Sequence, residues 1–95
     1  MAQPKVVLVA CGTAVATSTV VAHAIEEAMA ERGVPVTIRQ CKATEVRSMI
    51  DDVDLVVATT PVPGDLGKPV FKGLPFLTGI GKSQLLDDIE KALRA

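Results

Sequence analysis

The sequence predicts an α/β fold: a four-stranded parallel sheet in the order 2-1-3-4 with helices on both faces, a Rossmann-like arrangement. Three observations predict it. Residues 5–11 and 55–58 are continuous apolar runs, the pattern of parallel strands covered on both faces. Segments of helical periodicity separate strand-like segments along the chain. The order strand, helix, strand, helix, strand, loop, strand, helix fits right-handed crossovers within one sheet.

Each element has its own signal. Residues 17–32 read as a helix, with Val21, Ala24, Ile25 and Ala28 on one face and His23, Glu26 and Glu27 on another, stopped by Gly33. Val34, Val36 and Ile38 alternate with Pro35, Thr37 and Arg39, which marks an edge strand. Thr44 is placed to cap a short helix through Val46, Met49 and Ile50, closed by Asp51 and Asp52. Leu55 to Ala58 is the second central strand, and the Pro- and Gly-rich residues 59–69 are a loop. Val70 to Leu74 is a short strand at the other edge. Residues 84–94 form the last helix, with Ser83 as cap and Leu85, Leu86, Ile89 and Leu93 inward.

The 95 residues form a single domain, 1–95, and a hydrophobic content of 48% supports a core without disulfide staples. A net charge of −1 argues against a broad footprint for nucleic acid or anionic lipid. No targeting signal is recognisable, and no apolar run approaches the roughly 20 residues that span a bilayer. Cys11 and Cys41 form no CxxC pair, and with a single His a structural zinc site is not expected; no metal or cofactor is. Phe71 and Phe76 are the only aromatics, which is a poor platform for stacking a flavin or a base.

Most functional information lies in the run from Lys5 to Val21. A buried strand ends at Cys11, a short loop of small and hydroxyl residues follows, and a helix begins. In the order 2-1-3-4 the switch point falls between the first and third strands, so ligands bind beyond their carboxyl ends. Cys11 ends one of these strands and Thr59-Thr60 ends the other. Backbone N–H groups and the helix N-terminus favour both a thiolate and a bound phosphate, so Cys11 reads as a phosphate-accepting nucleophile. The phosphate-binding loop would be Gly12, Thr13, Ala14, Val15, Ala16, Thr17 and Ser18. Gly12 lets the backbone approach an anion, and Thr13, Thr17, Ser18 and Thr19 add hydroxyls.

No Lys or Arg lies between Cys11 and Arg32, so the loop holds phosphate through neutral donors. A low-molecular-weight cysteine phosphatase has Arg six residues after its Cys; here that residue is Thr17. The guanidinium that stabilises a hydrolytic transition state is missing, which favours a relay over that alternative. A nucleotide- or flavin-binding module is the second alternative, disfavoured by the missing aromatics and by failed Walker and GxGxxG patterns. Cys41 reads as a packing or surface thiol and His23 as a solvated side chain. Asp51, Asp52 and Asp54 mark a loop boundary rather than a metal site. Leu66, Phe71 and Phe76 read mostly as core, with some room for a partner patch.

The run Cys11-Gly12-Thr13-Ala14-Val15-Ala16-Thr17-Ser18-Thr19 resembles the phosphocysteine loop of the IIB component of the bacterial phosphoenolpyruvate-dependent sugar phosphotransferase system (PTS), in its galactitol-type branch. Gln40-Cys41-Lys42, Asp54-Leu55-Val56-Val57, Thr59-Thr60 and the segment Gly73 to Gly81 are similar to that branch as well. The likeness runs from about Lys5 to the last helix. One departure is Ala14, where the family usually has glycine; a positive φ there would strain alanine. The resemblance implies a cytoplasmic phosphocarrier, peripherally associated with a membrane permease. A IIA partner with a phosphohistidine would phosphorylate Cys11, which would pass the group to galactitol or a related polyol bound to the IIC permease. Only Cys11 carries over as the covalent residue.

Loop amides and the helix N-terminus are expected to make Cys11 more acidic than a free thiol. Alkylation rate against pH, measured in a Cys41→Ser background, checks this: a midpoint at or above that of a free thiol would show that desolvation outweighs the loop donors.

Overall fold

Val7, Leu8, Val9 and Ala10 are all fully buried, and this double-sided burial of one strand organises the molecule. The computed structural model describes residues 5–11, 15–60, 62 and 66–94; the side chains at 11, 15–18 and 77 lie outside that description. Four parallel strands, β1 (Lys5–Cys11), β2 (Val36–Lys42), β3 (Leu55–Ala58) and β4 (Val70–Lys72), form one sheet in the order β2-β1-β3-β4, as the sequence predicts. The helices are α1 (Val15–Glu31), α2 (Val46–Met49), α3 (Pro75–Thr78) and α4 (Lys82–Arg94).

Alternation along the strands divides the core in two. Val7 and Val9 of β1 and Leu55 and Val57 of β3 face Val21, Ile25 and Met29 of α1, Phe76 of α3 and Leu85, Leu86, Ile89 and Leu93 of α4. Leu8, Ala10, Val56 and Ala58 face the opposite way, toward Val46 of α2 and the following Ile50 and Val53. Cys41, Met49, Val62 and Leu66 pack around the second cluster, which makes Cys41 a half-buried packing thiol. Phe76 is buried, and Phe71 packs partly buried against the first cluster.

The boundaries differ from the sequence reading where main-chain bonds, not side-chain pattern, decide them. α1 starts at Val15, ahead of residue 17, and ends at Glu31. Gly33, at φ 75°, ends it, with Val34 N–H donating to Met29 O (2.8 Å) and Gly33 N–H to Ala30 O (3.2 Å). β2 runs on to Lys42 although side-chain alternation fades at Arg39-Gln40, because β1 continues to pair with it. Thr44 caps nothing: it is exposed within a 3₁₀ turn, Ala43–Glu45, and the Glu45 carboxylate accepts the Lys42 N–H instead (2.9 Å). The expected helix through Ile50 is one turn, α2, followed by a second 3₁₀ turn, Ile50–Asp52.

The last third departs further. β4 stops at Lys72 rather than Leu74, and α3, which the sequence reading lacked, opens at Pro75; proline suits a first helical turn because its N–H is not needed there. α4 begins at Lys82, so Ser83 sits inside its first turn and is not its cap. Asp54 has a structural role the sequence did not disclose. Its Oδ2 accepts the Val6 N–H (2.7 Å) and its own N–H donates to Val6 O (2.8 Å), tying the entrance of β3 to β1.

The C-terminal end of α1 is fastened to α4 by charge. Arg32 Nη1 donates to Asp87 Oδ1 and Glu90 Oε1, and Arg94 Nε to Glu90 Oε2, each at 2.7 Å; Arg94 Nη2 also donates to Arg32 O (3.0 Å). Hydrogen bonds from Arg32 and then Arg94 hold the Glu90 carboxyl below its ordinary range. A carboxylate that is more acidic folded than unfolded stabilises the fold above its unfolded pKa and loses that contribution as pH falls through its folded pKa. Wild-type stability in urea is therefore expected to fall more steeply than that of Glu90→Gln below about pH 4.5; superimposable pH profiles would contradict the assignment.

Candidate active site at the carboxyl end of the sheet

The chain leaves β1 toward β2 and leaves β3 toward β4, so the two connections diverge and a crevice is expected between the carboxyl ends of β1 and β3. β1 ends at Cys11 and α1 begins at Val15. The cysteine backbone is thus followed, within one short connection, by a 17-residue helix whose N-terminal amides have no intrahelical acceptor. No acidic residue stands in the first turn of α1 to oppose an anion.

β3 delivers a second wall. Thr59 N–H donates to Ala10 O (3.0 Å), which holds the start of the 59–69 loop against the end of β1. Thr59 and Thr60 are half-buried and, with Val62, Phe71 and Lys72, help line a cavity of about 520 Å³ beside the crevice. The two strand ends singled out in the sequence, Cys11 and Thr59-Thr60, are therefore neighbours. Gly73 supports this wall: its N–H donates to Ala58 O (2.7 Å), and a Cβ built on it would lie 3.1 Å from Val57 Cγ1 and 3.2 Å from Thr59 Cγ2.

Of the predicted loop, Gly12, Thr13 and Ala14 lie outside the described residues. Val15, Ala16, Thr17 and Ser18 form the start of α1, and their side chains, like that of Cys11, are outside the description. Thr19 lies one turn into the helix and lines a separate groove along α1 with Val20, His23 and Phe76. His23 is exposed on that surface, 3.5 Å from Glu27. Among the described residues, no group of three His, Cys, Asp or Glu is placed to hold a metal ion.

The sequence reading missed one neighbour of the crevice. Parallel pairing from Lys5↔Val36 continues through Ala10↔Cys41 to Cys11↔Lys42, so a lysine backbone lies in register beside Cys11. The signal was available only after the strand register was known, because 30 residues separate the two positions in the chain.

A family model described as "PTS system, Lactose/Cellobiose specific IIB subunit" matches residues 6–93. The chain belongs to this IIB family. The galactitol-specific EIIB component of Escherichia coli K12 is 39% identical to the chain over 84 residues, covering 87% of this chain and 89% of that protein. Two solved structures share the fold. The enzyme IIB subunit of a PTS system from E. coli K12 has a TM-score of 0.61 at 19% identity, covering 99% of this chain and 96% of that one. The lactose-specific IIB component domain from Streptococcus pneumoniae has a TM-score of 0.58 at 21% identity, covering 97% and 93%. This IIB chain is a phosphotransferase that relays a phosphoryl group in sugar uptake, as the family does. No helix among its described residues is long and apolar enough to cross a membrane.

Gly73→Ala is expected to destabilise the IIB fold by about 1–2 kcal/mol, because the new methyl presses on Val57 and Thr59 at the end of β3. Urea denaturation reads this directly; an unchanged midpoint would show that both neighbours give way at no cost.

Proposed function

We propose that Cys11 is the residue that carries the phosphoryl group, cradled by residues 12–18, and that residues 1–95 act as one carrier domain. The observation that supports this best is the strand-end position of Cys11, four residues before α1 begins, at the reversal point of the sheet. The donor is a IIA phosphohistidine. The Cys11 thiolate attacks phosphorus, an S–P bond forms, the P–N bond breaks, and its electron pair stays on the imidazole. In the second transfer a hydroxyl oxygen of the sugar alcohol attacks phosphorus. An O–P bond forms, the S–P pair returns to sulfur as thiolate, and the hydroxyl proton goes to a base in the permease complex. The likeness to galactitol-specific relatives supports galactitol or a related polyol, bound by the IIC permease, as acceptor. The carrier works in the cytoplasm, at the membrane only through that permease.

Phosphoryl transfer depends on positioning and on charge stabilisation at the phosphoryl oxygens. With Thr17 where a phosphatase carries arginine, attack by water on isolated phosphocysteine is slow, and transfer waits for docking. Two measurements check the reading. Incubation with phosphoenolpyruvate and the upstream phosphate carriers is expected to label Cys11 by mass spectrometry, with no label in Cys11→Ser. The isolated phosphoprotein is expected to outlive the same protein mixed with permease and polyol. Label that persists in Cys11→Ser would remove the cysteine from the mechanism, and equal lifetimes would favour a phosphatase.

A further inference from the structure

We infer that Lys42 supplies the positive charge that the loop itself lacks, its ammonium contacting the phosphoryl oxygens during transfer to Cys11. This rests on the reading of Cys11 as the phosphorylated residue. The carrier loop has no Lys or Arg of its own between Cys11 and Arg32. A group that accepts a doubly charged phosphoryl through neutral amides alone gives up the strongest available stabilisation, a cation directed at the equatorial oxygens.

The sheet brings that cation from another strand. Cys11 and Lys42 are register partners at the carboxyl ends of β1 and β2, and adjacent strands lie about 4.8 Å apart. The face follows from alternation. Val36 and Ile38 of β2 pack against the cluster that contains α1, while Cys41 packs against the opposite cluster. Lys42, an even number of residues from Val36 and Ile38, therefore shares the α1 face of the sheet. That is the face of the sheet against which α1 packs.

Lys42 is also available. Its side chain is exposed, and among the described residues its ammonium forms no ion pair. The nearby carboxylate, Glu45, is engaged with the main-chain N–H of Lys42, and the first turn of α1 carries no acid to compete for the ammonium. A lysine suits the task because its four-carbon stem lets a compact charge follow the phosphoryl group from donor to sulfur. Three other cations are worse placed. Lys72 pairs with Ala58, two strands from β1, and so lies on the opposite face; Arg32 and Arg94 are committed to Asp87 and Glu90.

The test compares K42Q, K42R and, as a control for net charge, K91Q on the surface of α4. Each is phosphorylated by the upstream carriers, and the rate of Cys11 labelling is followed by mass spectrometry. Cys11 alkylation is measured against pH in the same variants. K42Q is expected to label roughly tenfold more slowly, a solvent-exposed discount on the loss of an oxyanion donor, and its alkylation midpoint to move to higher pH. K42R and K91Q are expected to behave as wild type. Wild-type rate and midpoint in K42Q would overturn the inference while leaving Cys11 as the carrier. An equal loss in K42Q and K42R with an unmoved midpoint would also overturn it, because the position would then act through shape and not charge. Absence of Cys11 label in wild type, with another residue labelled, would overturn the reading of Cys11 and this inference with it.

Discussion

The parallel pairing of β1 with a strand on each side is the constraint on which the rest depends. Leu8 and Val9 point to opposite faces and both are fully buried, so β1 needs cover above and below and partners left and right. A strand so placed has one end available to chemistry, the end where the chain leaves the sheet. Burial of four consecutive apolar side chains, each worth about 1.5–3 kcal/mol or somewhat less for alanine, fixes that exit in space. The last residue of β1 is then held by the core while standing at its rim, where positioning matters most and stability is least disturbed by a polar or reactive group.

Much of this was legible in the sequence because the signals were strong and local. The runs at residues 5–11 and 55–58 could be little else than central strands, and the order β2-β1-β3-β4 followed from which strands were continuous and which alternated. The inward positions of α4 followed from periodicity. One kind of failure sits where backbone partners far away in sequence decide the outcome. Asp54 became a register clamp because Val6 stood opposite. α3 went unread because four residues opening on proline carry too short a pattern to show periodicity.

The same division applies to the candidate site proposed above. Cys11 announced itself through an apolar strand running into a loop of small residues, and Thr59-Thr60 through a like position after β3. Lys42 did not, since its place beside Cys11 exists only in the register of two strands with a 17-residue helix between them in the chain. The loop sequence itself contains no Lys or Arg. Residues gathered by a sheet from separate strands are the ones that spacing motifs do not capture.

The sheet's two faces are covered unequally. Among the described residues, one carries α1, α3 and α4, clasped at the far end by Arg32, Glu90 and Arg94; the other carries one helical turn flanked by 3₁₀ turns, with Val62 and Leu66 packed against it. Short turns hold few internal hydrogen bonds and release few neighbours when they lift, so opening there costs less than opening the α1 side. Motion is thereby directed to one side of the molecule. Residues 43–52 are expected to open before Val7, Val9, Ile25 and Ile89 are exposed, and amide hydrogens on that side to exchange with solvent before those of β1. The helix that starts after Cys11 packs on the better-covered side, so local opening on the opposite face would leave its N-terminal amides in place.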